Sequence, residues 1–366
     1  MNIKAVITIL EDWAPKAYQE SYDNSGLICG DEQAEVSSVL VSLDCTEAVV
    51  DEAISKSCNL IISHHPLVFS AIKTLTGKTD IERALIKAIQ NNIALYAFHT
   101  NLDAVDTGVN KKIADRLGLE ELNILRPKVD TLSQLVVYVP ENHLTKLRET
   151  LFSAGAGSIG NYSSCSFSNA GMGTFKATGK AQPFVGELDE LHQEKERRLE
   201  LIFPRHLQSK VISALKTHHP YEEVAYQIIE LQVPNPYVGS GMIGSLAEPM
   251  DVKAFFERIQ NRFQTQVIKH TDWCKSTIKR VAICGGSGSF LLSDAKAAGA
   301  DVFLTSDFKY HEFFSAENQI IIADVGHYES EYFTIELIDE KLREKNCNFA
   351  VYKSELNTNP VNYFYN

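Results

Sequence analysis

No run of 18 apolar residues occurs in the 366-residue chain, so no segment reads as a membrane span. No CxxC pair occurs among the seven cysteines (Cys29, Cys45, Cys58, Cys165, Cys274, Cys284, Cys347), which are odd in number and widely scattered. That pattern argues against a disulfide framework. Several of these cysteines sit in apolar runs, where the side chain behaves as a small hydrophobe, and a reducing cytoplasm is the expected setting. A secretory pattern is missing too, because the short apolar run near Met1 meets Glu11 and Asp12. Basic charge is scarce: 35 Lys and Arg face 47 Asp and Glu, a formal net charge of −12. A phosphate-backbone binder needs a basic surface, so nucleic acid is not an expected partner. With 44% hydrophobic and 22% charged residues the chain is an ordinary globular one. At roughly 150 residues per domain it has room for two to three domains.

Residues 1–126 alternate apolar strand-like runs with amphipathic helical ones. SVLVSLD (38–44), NLIIS (59–63) and IALYAF (93–98) read as strands; 46–57, 81–90 and 110–119 read as helices. Strands this uniformly apolar imply a mostly parallel sheet covered on both faces. Residues 236–366 repeat the order, with strands in 279–286, 300–306 and 319–325 and a helix in 290–299. At an offset of 242 residues Val39 falls on Val281, Ala53 on Ala295 and Ser63 on Thr305. At an offset of 228, His99 falls on His327 and Asp103 on Glu331. The pattern reads as an internal duplication with a functional site between the halves. Residues 127–235 change character: strands at 131–140, 162–168, 197–204 and 224–231 and helices at 143–154 and 206–218 follow the ferredoxin-like order. The glycine-rich stretch 169–187 reads as a long loop or short hairpin, and Pro234, Pro236 and Gly239 mark the exit. The expected fold is α/β, a duplicated core interrupted by an α+β insertion.

Chemistry concentrates at strand ends. His64 and His65 close the run LIISHHP, where α/β folds place ligands, and adjacent residues on extended backbone point to opposite sides. Such a pair suits two metal ions, one histidine to each. His99 and Asp103 follow the next strand; His327 and Glu331 stand four apart on a helix running on through 332–345, and so share one face. Against this stand ordinary roles, a histidine packed at a strand end or Asp103 and Asp106 as helix caps. Imidazole with carboxylate and no thiolate favours zinc, manganese, iron or cobalt. In a two-metal site one carboxylate bridges both ions and water becomes a nucleophile near neutral pH. THHPYEE (217–223) repeats the His-His-Pro string with His218 and His219 at a helix end, a weaker metal candidate. CGGSGSF (284–290) lacks the Walker lysine and the third glycine of GxGxxG, so a plain tight turn is the better reading.

SYDNSGLICGD (21–31), LDCTEAVVDEA (43–53), SHHPLVF (63–69), FHTNLD (98–103), GSGMIGSL (239–246), GADVFLTSDFKYHE (299–312), GHYESE (326–331) and ELNTNPVNYF (355–364) together resemble the NIF-three-like family, the GTP cyclohydrolase I type 2 homologues. The insertion resembles the PII/CutA-like domain of the longer bacterial members. The resemblance implies two divalent ions per chain, zinc first, on His64, His65, Asp103, His327 and Glu331, with Glu331 as bridge. It also implies a toroidal homohexamer, a trimer of dimers. Tyr22, Ser306 and Tyr310 depart from the residues common in the family. As a GTP cyclohydrolase the protein would direct a metal-bound hydroxide at C8 of guanine, with His99 or Glu329 carrying protons. The alternatives are a phosphoesterase or amidohydrolase acting on another small molecule, and a non-enzymatic metal-binding ring that regulates or binds partners.

Overall fold

The computed structural model describes residues 1–345 and 348–364; Cys347 lies outside the described residues. The fold is mixed α/β, with three sheets among the described residues. The chain forms two compact units, one of residues 1–127 and 237–366 and the other of residues 128–236. No helix among the described residues is long and apolar enough to cross a membrane.

In the first unit, one sheet has the strand order Gly26–Cys29, Ala94–Ala97, Leu60–Ser63, Ser38–Ser42, Ala350–Lys353. The other has the order Lys269–His270, Ile321–Asp324, Val302–Ser306, Thr277–Ser287, Asn235–Asp251, Leu119–Lys128. The first contains four adjacent parallel strands with an antiparallel strand at one edge, and the second contains three adjacent parallel strands with an antiparallel strand on each side. Alternation along the parallel strands explains their uninterrupted apolar sequence. Val39, Val41, Leu60 and Ile62 of the first sheet and Val281, Ile283, Val302 and Leu304 of the second face one shared core. Leu40 and Ile61 point the other way, onto Val49, Val50, Ala84 and Ala88 of helices Glu47–Ser55 and Asp80–Gln90. Ala282 and Phe303 likewise enter a separate core with Leu292 and Ala295. A strand buried on both faces has no solvent side on which to carry polar residues. Helices Val109–Leu117, Val252–Phe263 and Thr334–Glu344 fill the shared core.

The helices start and stop where local chemistry directs. Thr46 and Thr79 cap the first-sheet helices by accepting from Val49 N and Glu82 N. Helix Val109–Leu117 ends two residues short of the expected 119, because Gly118 takes the left-handed conformation at φ 71°. The segment expected as one helix from His327 onward is two, His327–Glu331 and Thr334–Glu344, broken at Tyr332 and Phe333.

The second unit has the antiparallel order Phe167–Lys176, Leu191–Pro204, Leu132–Pro140, Tyr226–Leu231, with helices Leu144–Ser153 and Gln208–His218 packed on one face through Leu135, Val137, Leu199, Leu201, Leu147 and Leu215. In place of the expected strand at 162–168 and the long loop or short hairpin at 169–187 stands one long hairpin. The strand begins at Phe167 and runs to Lys176, through the glycines, paired residue by residue with Leu191–Pro204. As an edge strand with little buried surface it has no need of the alternating apolar pattern by which strands are read.

Phe333 is fully buried, its ring 5.6 Å from that of Phe263 and under the Arg116 guanidinium at 4.5 Å. Phe333→Ala should cost about 3–5 kcal/mol of stability by urea unfolding; a loss below about 1 kcal/mol would show that the shared core does not depend on this contact.

Candidate metal centre

Six strand ends of the first unit deliver the site. His64 and His65 follow Leu60–Ser63, His99 follows Ala94–Ala97 and leads into the short helix Thr100–Asp103, and Asp44 follows Ser38–Ser42. From the second sheet come Asp307 after Val302–Ser306, His327 and Glu331 after Ile321–Asp324, and Gly286 near the end of Thr277–Ser287. The carboxyl ends of parallel strands are where open α/β sheets gather ligand-binding groups.

Glu331 is the centre. Its Oε2 lies 3.0 Å from His65 Nε2, 3.0 Å from His327 Nε2 and 3.8 Å from His64 Nε2. Asp103 Oδ1 lies 3.6 Å from His64 Nε2. Three groups of side chains bring their ligand atoms within 4.8 Å of one another and could hold a metal ion: His64, Asp103 and Glu331; His65, His327 and Glu331; and His64, His65 and His99.

Every one of the four imidazoles is oriented through Nδ1. That atom meets Phe98 O at 2.9 Å in His64, Asp44 at 2.7 Å in His65, Asp23 at 2.8 Å in His99 and Asp307 at 2.6 Å in His327. An oxygen on one ring nitrogen fixes the ring and leaves the other nitrogen as the donor, the arrangement usual around metal-bound histidine. Asp23 is itself held by Thr100 N at 3.1 Å and Ser25 Oγ at 2.6 Å, Asp44 by Thr358 Oγ1. Asp23, Asp44 and Asp307 were not singled out from the sequence. Each stands beside a strand end or the strings around His99 and His327, but a lone aspartate there looks like a turn residue.

Electrostatics point the same way. Burial and the Glu331 charge push the Asp103 carboxyl up to about 7. Burial works against a charged Glu331 as well, yet the imidazoles of His327, His64 and His65 around it hold it well below the usual range. Burial opposes protonation of His65 and His327, but Asp44 and Glu331 raise the first to about 9, and Asp307 and Glu331 raise the second to about 11. The cluster draws in protons because it is short of positive charge. His64 Nε2 and Asp103 Oδ1 are buried with no hydrogen-bond partner. Buried polar atoms rarely go unsatisfied, so two facing a shared carboxylate fit the donor set of a cation.

Other residues singled out in the sequence lie outside the three groups. The Glu329 carboxylate accepts from Asn359 Nδ2 at 3.1 Å and belongs to none of the three groups. His218 and His219 turn to backbone oxygens, Ala214 O at 3.0 Å and Tyr138 O at 2.9 Å, and form no metal-ligand group among the described residues. Tyr22 and Tyr310 are exposed, while Ser306 is buried and donates to Gly286 O at 2.6 Å. In the CGGSGSF turn, Gly286 has φ 62°, and a Cβ there would collide with Glu331 Oε1. Its task is to leave room for that carboxylate.

Residues 1–360 match the Duf34/NIF3 (NGG1p interacting factor 3) family. A Bacillus subtilis protein named GTP cyclohydrolase 1 type 2 homolog is 37% identical over 369 residues, 99% of this chain and 99% of the relative. The crystal structure of a Bacillus cereus protein related to NIF3 superposes with a TM-score of 0.87 at 36% identity, over 100% of this chain and 99% of that one. A Staphylococcus aureus protein superposes with a TM-score of 0.78 at 31% identity, over 100% and 99%.

Gly286→Ala should leave the circular dichroism spectrum intact while weakening divalent-cation binding by about tenfold or more, since the new methyl moves Glu331. Calorimetric titration with Zn²⁺ checks this; native affinity in the variant would remove Glu331 from the centre.

Proposed function

The chain belongs to the Duf34/NIF3 family, and on that footing we propose that it binds two divalent metal ions and acts as a metal-dependent hydrolase. The unsatisfied His64 Nε2 and Asp103 Oδ1 carry this reading. His64, Asp103 and Glu331 would hold one ion and His65, His327 and Glu331 the other, with Glu331 common to both. Zinc is the first choice for a histidine–carboxylate set, with manganese, iron and cobalt as alternatives. When bound, such ions supply Lewis-acid polarisation of a carbonyl or phosphoryl oxygen and lower the pKa of water.

The remaining residues position and move protons. Asp23 keeps a proton on His99 Nδ1, leaving Nε2 to take or return one beside His64 and His65, whose ring centroids are 5.3 Å away. His99, rather than Glu329, is therefore assigned the proton transfer. GTP is the first substrate to test because curated relatives bear the GTP cyclohydrolase homologue name.

The same reading includes a duplicated core. In its support, Val39 pairs with Leu60 and Val281 with Val302, the same parallel register at the 242-residue offset. The step from strand to histidine is two residues after Ala97 and three after Asp324, the extra one taken up near Gly326 at φ 95°. The strand order of residues 128–236 agrees with a ferredoxin-like, PII/CutA-like insertion. A cytoplasmic toroidal homohexamer, a trimer of dimers, completes the proposal; sedimentation analysis tests it.

Protein purified without added metal should carry about two divalent ions per chain by elemental analysis. A folded Asp103→Ala, Glu331→Ala variant should lose them together with any hydrolysis of GTP or phosphoesters. Unchanged metal in the variant would sink the ligand assignment; full metal with no turnover on these substrates would favour a non-enzymatic metal-binding ring.

Metal must also compete with protons on His65 and His327, so cation affinity rises with pH and loading releases protons. The metal-free protein has the opposite dependence. Stability from protonated His65 is complete below the unfolded value near 6.5 and is lost as pH rises through about 9. Melting temperatures in chelator should fall between pH 7 and pH 10 and those with Zn²⁺ should not. Parallel trends would contradict the competition.

A further inference from the structure

The glycine-rich strand Phe167–Lys176, which the metal cluster leaves unused, borders a cavity of about 640 Å³ within residues 128–236. Strand alternation places the cavity opposite the helices. Leu199 and Leu201 turn into the core, while Glu196, Arg198 and Tyr138 line the cavity. Phe175, Phe184 and Tyr221 form an aromatic wall, with ring centroids 6.0 Å apart for Phe175 and Tyr221 and 6.3 Å apart for Phe184 and Tyr221. Gln182 N donates to Glu222 Oε1 at 2.8 Å, which ties the segment carrying Phe184 to the rim.

Two glycines keep the space clear. A Cβ at Gly171 would meet no atom within 4 Å, so the fold does not require glycine there, although glycine weakens a strand. A Cβ at Gly173 would collide with the Glu196 carboxylate, so that glycine gives Glu196 its place over the strand. Charge sets the kind of occupant. The Arg198 guanidinium lies 3.1 Å from Glu200, which offsets it. Glu196, Glu222 and Glu223 also line the cavity, and none pairs with Lys or Arg among the described residues. Glu196 Oε1 accepts only from Tyr221 Oη among these partners, at 2.9 Å. Aromatic faces with uncompensated carboxylates attract a cation that has an apolar body, since the ring quadrupole and the carboxylate act on the same charge.

We propose that this cavity is a binding site for a small organic ammonium cation. The site stands apart from the metal reading: it shares no residue with the cluster, and chelated protein should bind equally well.

The test is calorimetric titration of the full-length protein, with and without chelator, using benzyltrimethylammonium as probe and phenylacetate and benzyl alcohol as anionic and neutral counterparts. Saturable binding of the cation alone is expected. Gly171→Phe sends a ring into the cavity from a position where a Cβ meets no atom within 4 Å, and should weaken binding by about tenfold or more. Glu196→Gln removes the charge while keeping an acceptor for Tyr221, and should weaken it several-fold with an unchanged melting temperature. The proposal is overturned by no saturable binding, by equal binding of phenylacetate or benzyl alcohol, or by native affinity in Gly171→Phe. It is also overturned if Gly171→Phe reduces the size of an assembly in sedimentation, which would assign the face to a contact between copies.

Discussion

One buried carboxylate organises this protein. Glu331 is 3% exposed and faces three imidazole nitrogens. Taking a carboxylate out of water costs several kcal/mol unless charge is returned to it locally. Positive charge comes from protons on His65 and His327 or from ions in their place, and the neighbouring Asp103 sharpens the demand. Gly286 then has to lack a side chain, and Ser330, fully buried, donates to His327 O at 2.8 Å inside the short helix that carries His327 and Glu331.

Around that centre, orientation is assigned to a separate set of oxygens. Each imidazole reaches the cluster through Nε2 because Nδ1 is engaged elsewhere, by Phe98 O or by Asp44, Asp23 or Asp307. Asp307 adopts φ 60°, an uncommon conformation for a residue with a side chain, immediately after a fully buried strand. Strain of this kind persists where surrounding structure over-determines it, as around a ligand-holding residue.

The residues that converge were legible because two physical signals coincided: apolar strand ends and repeated His/carboxylate spacing in both halves. The parallel strands were legible for the same reason, since burial on both faces leaves one composition available. The orienting aspartates were not, because their partners are distant in sequence: Asp44 meets Thr358 and His65, and Asp307 meets His327. Glu329, expected as a proton carrier, stands two residues from Glu331 on the same short helix. Helix phase separates them, sending Glu331 to the cluster and Glu329 to Asn359. His218 and His219 repeat the motif without its setting, a helix end rather than the ends of two buried strands. The strand through Gly171 and Gly173 reads from sequence only as a long loop or short hairpin, because an exposed edge strand follows no apolar alternation.

The two sheets share a single packed layer, and the cluster draws side chains from the strand ends of both. The distance between Glu331 and His64 or His65 therefore depends on the thickness of that layer, on side chains such as Val109, Ile113 and Phe333. Close-packed interiors transmit small volume changes rather than absorbing them. The apolar filling thus acts as a spacer gauge for the cluster, and a methylene gained or lost deep in the core alters the spacing of the imidazoles and carboxylates at the strand ends.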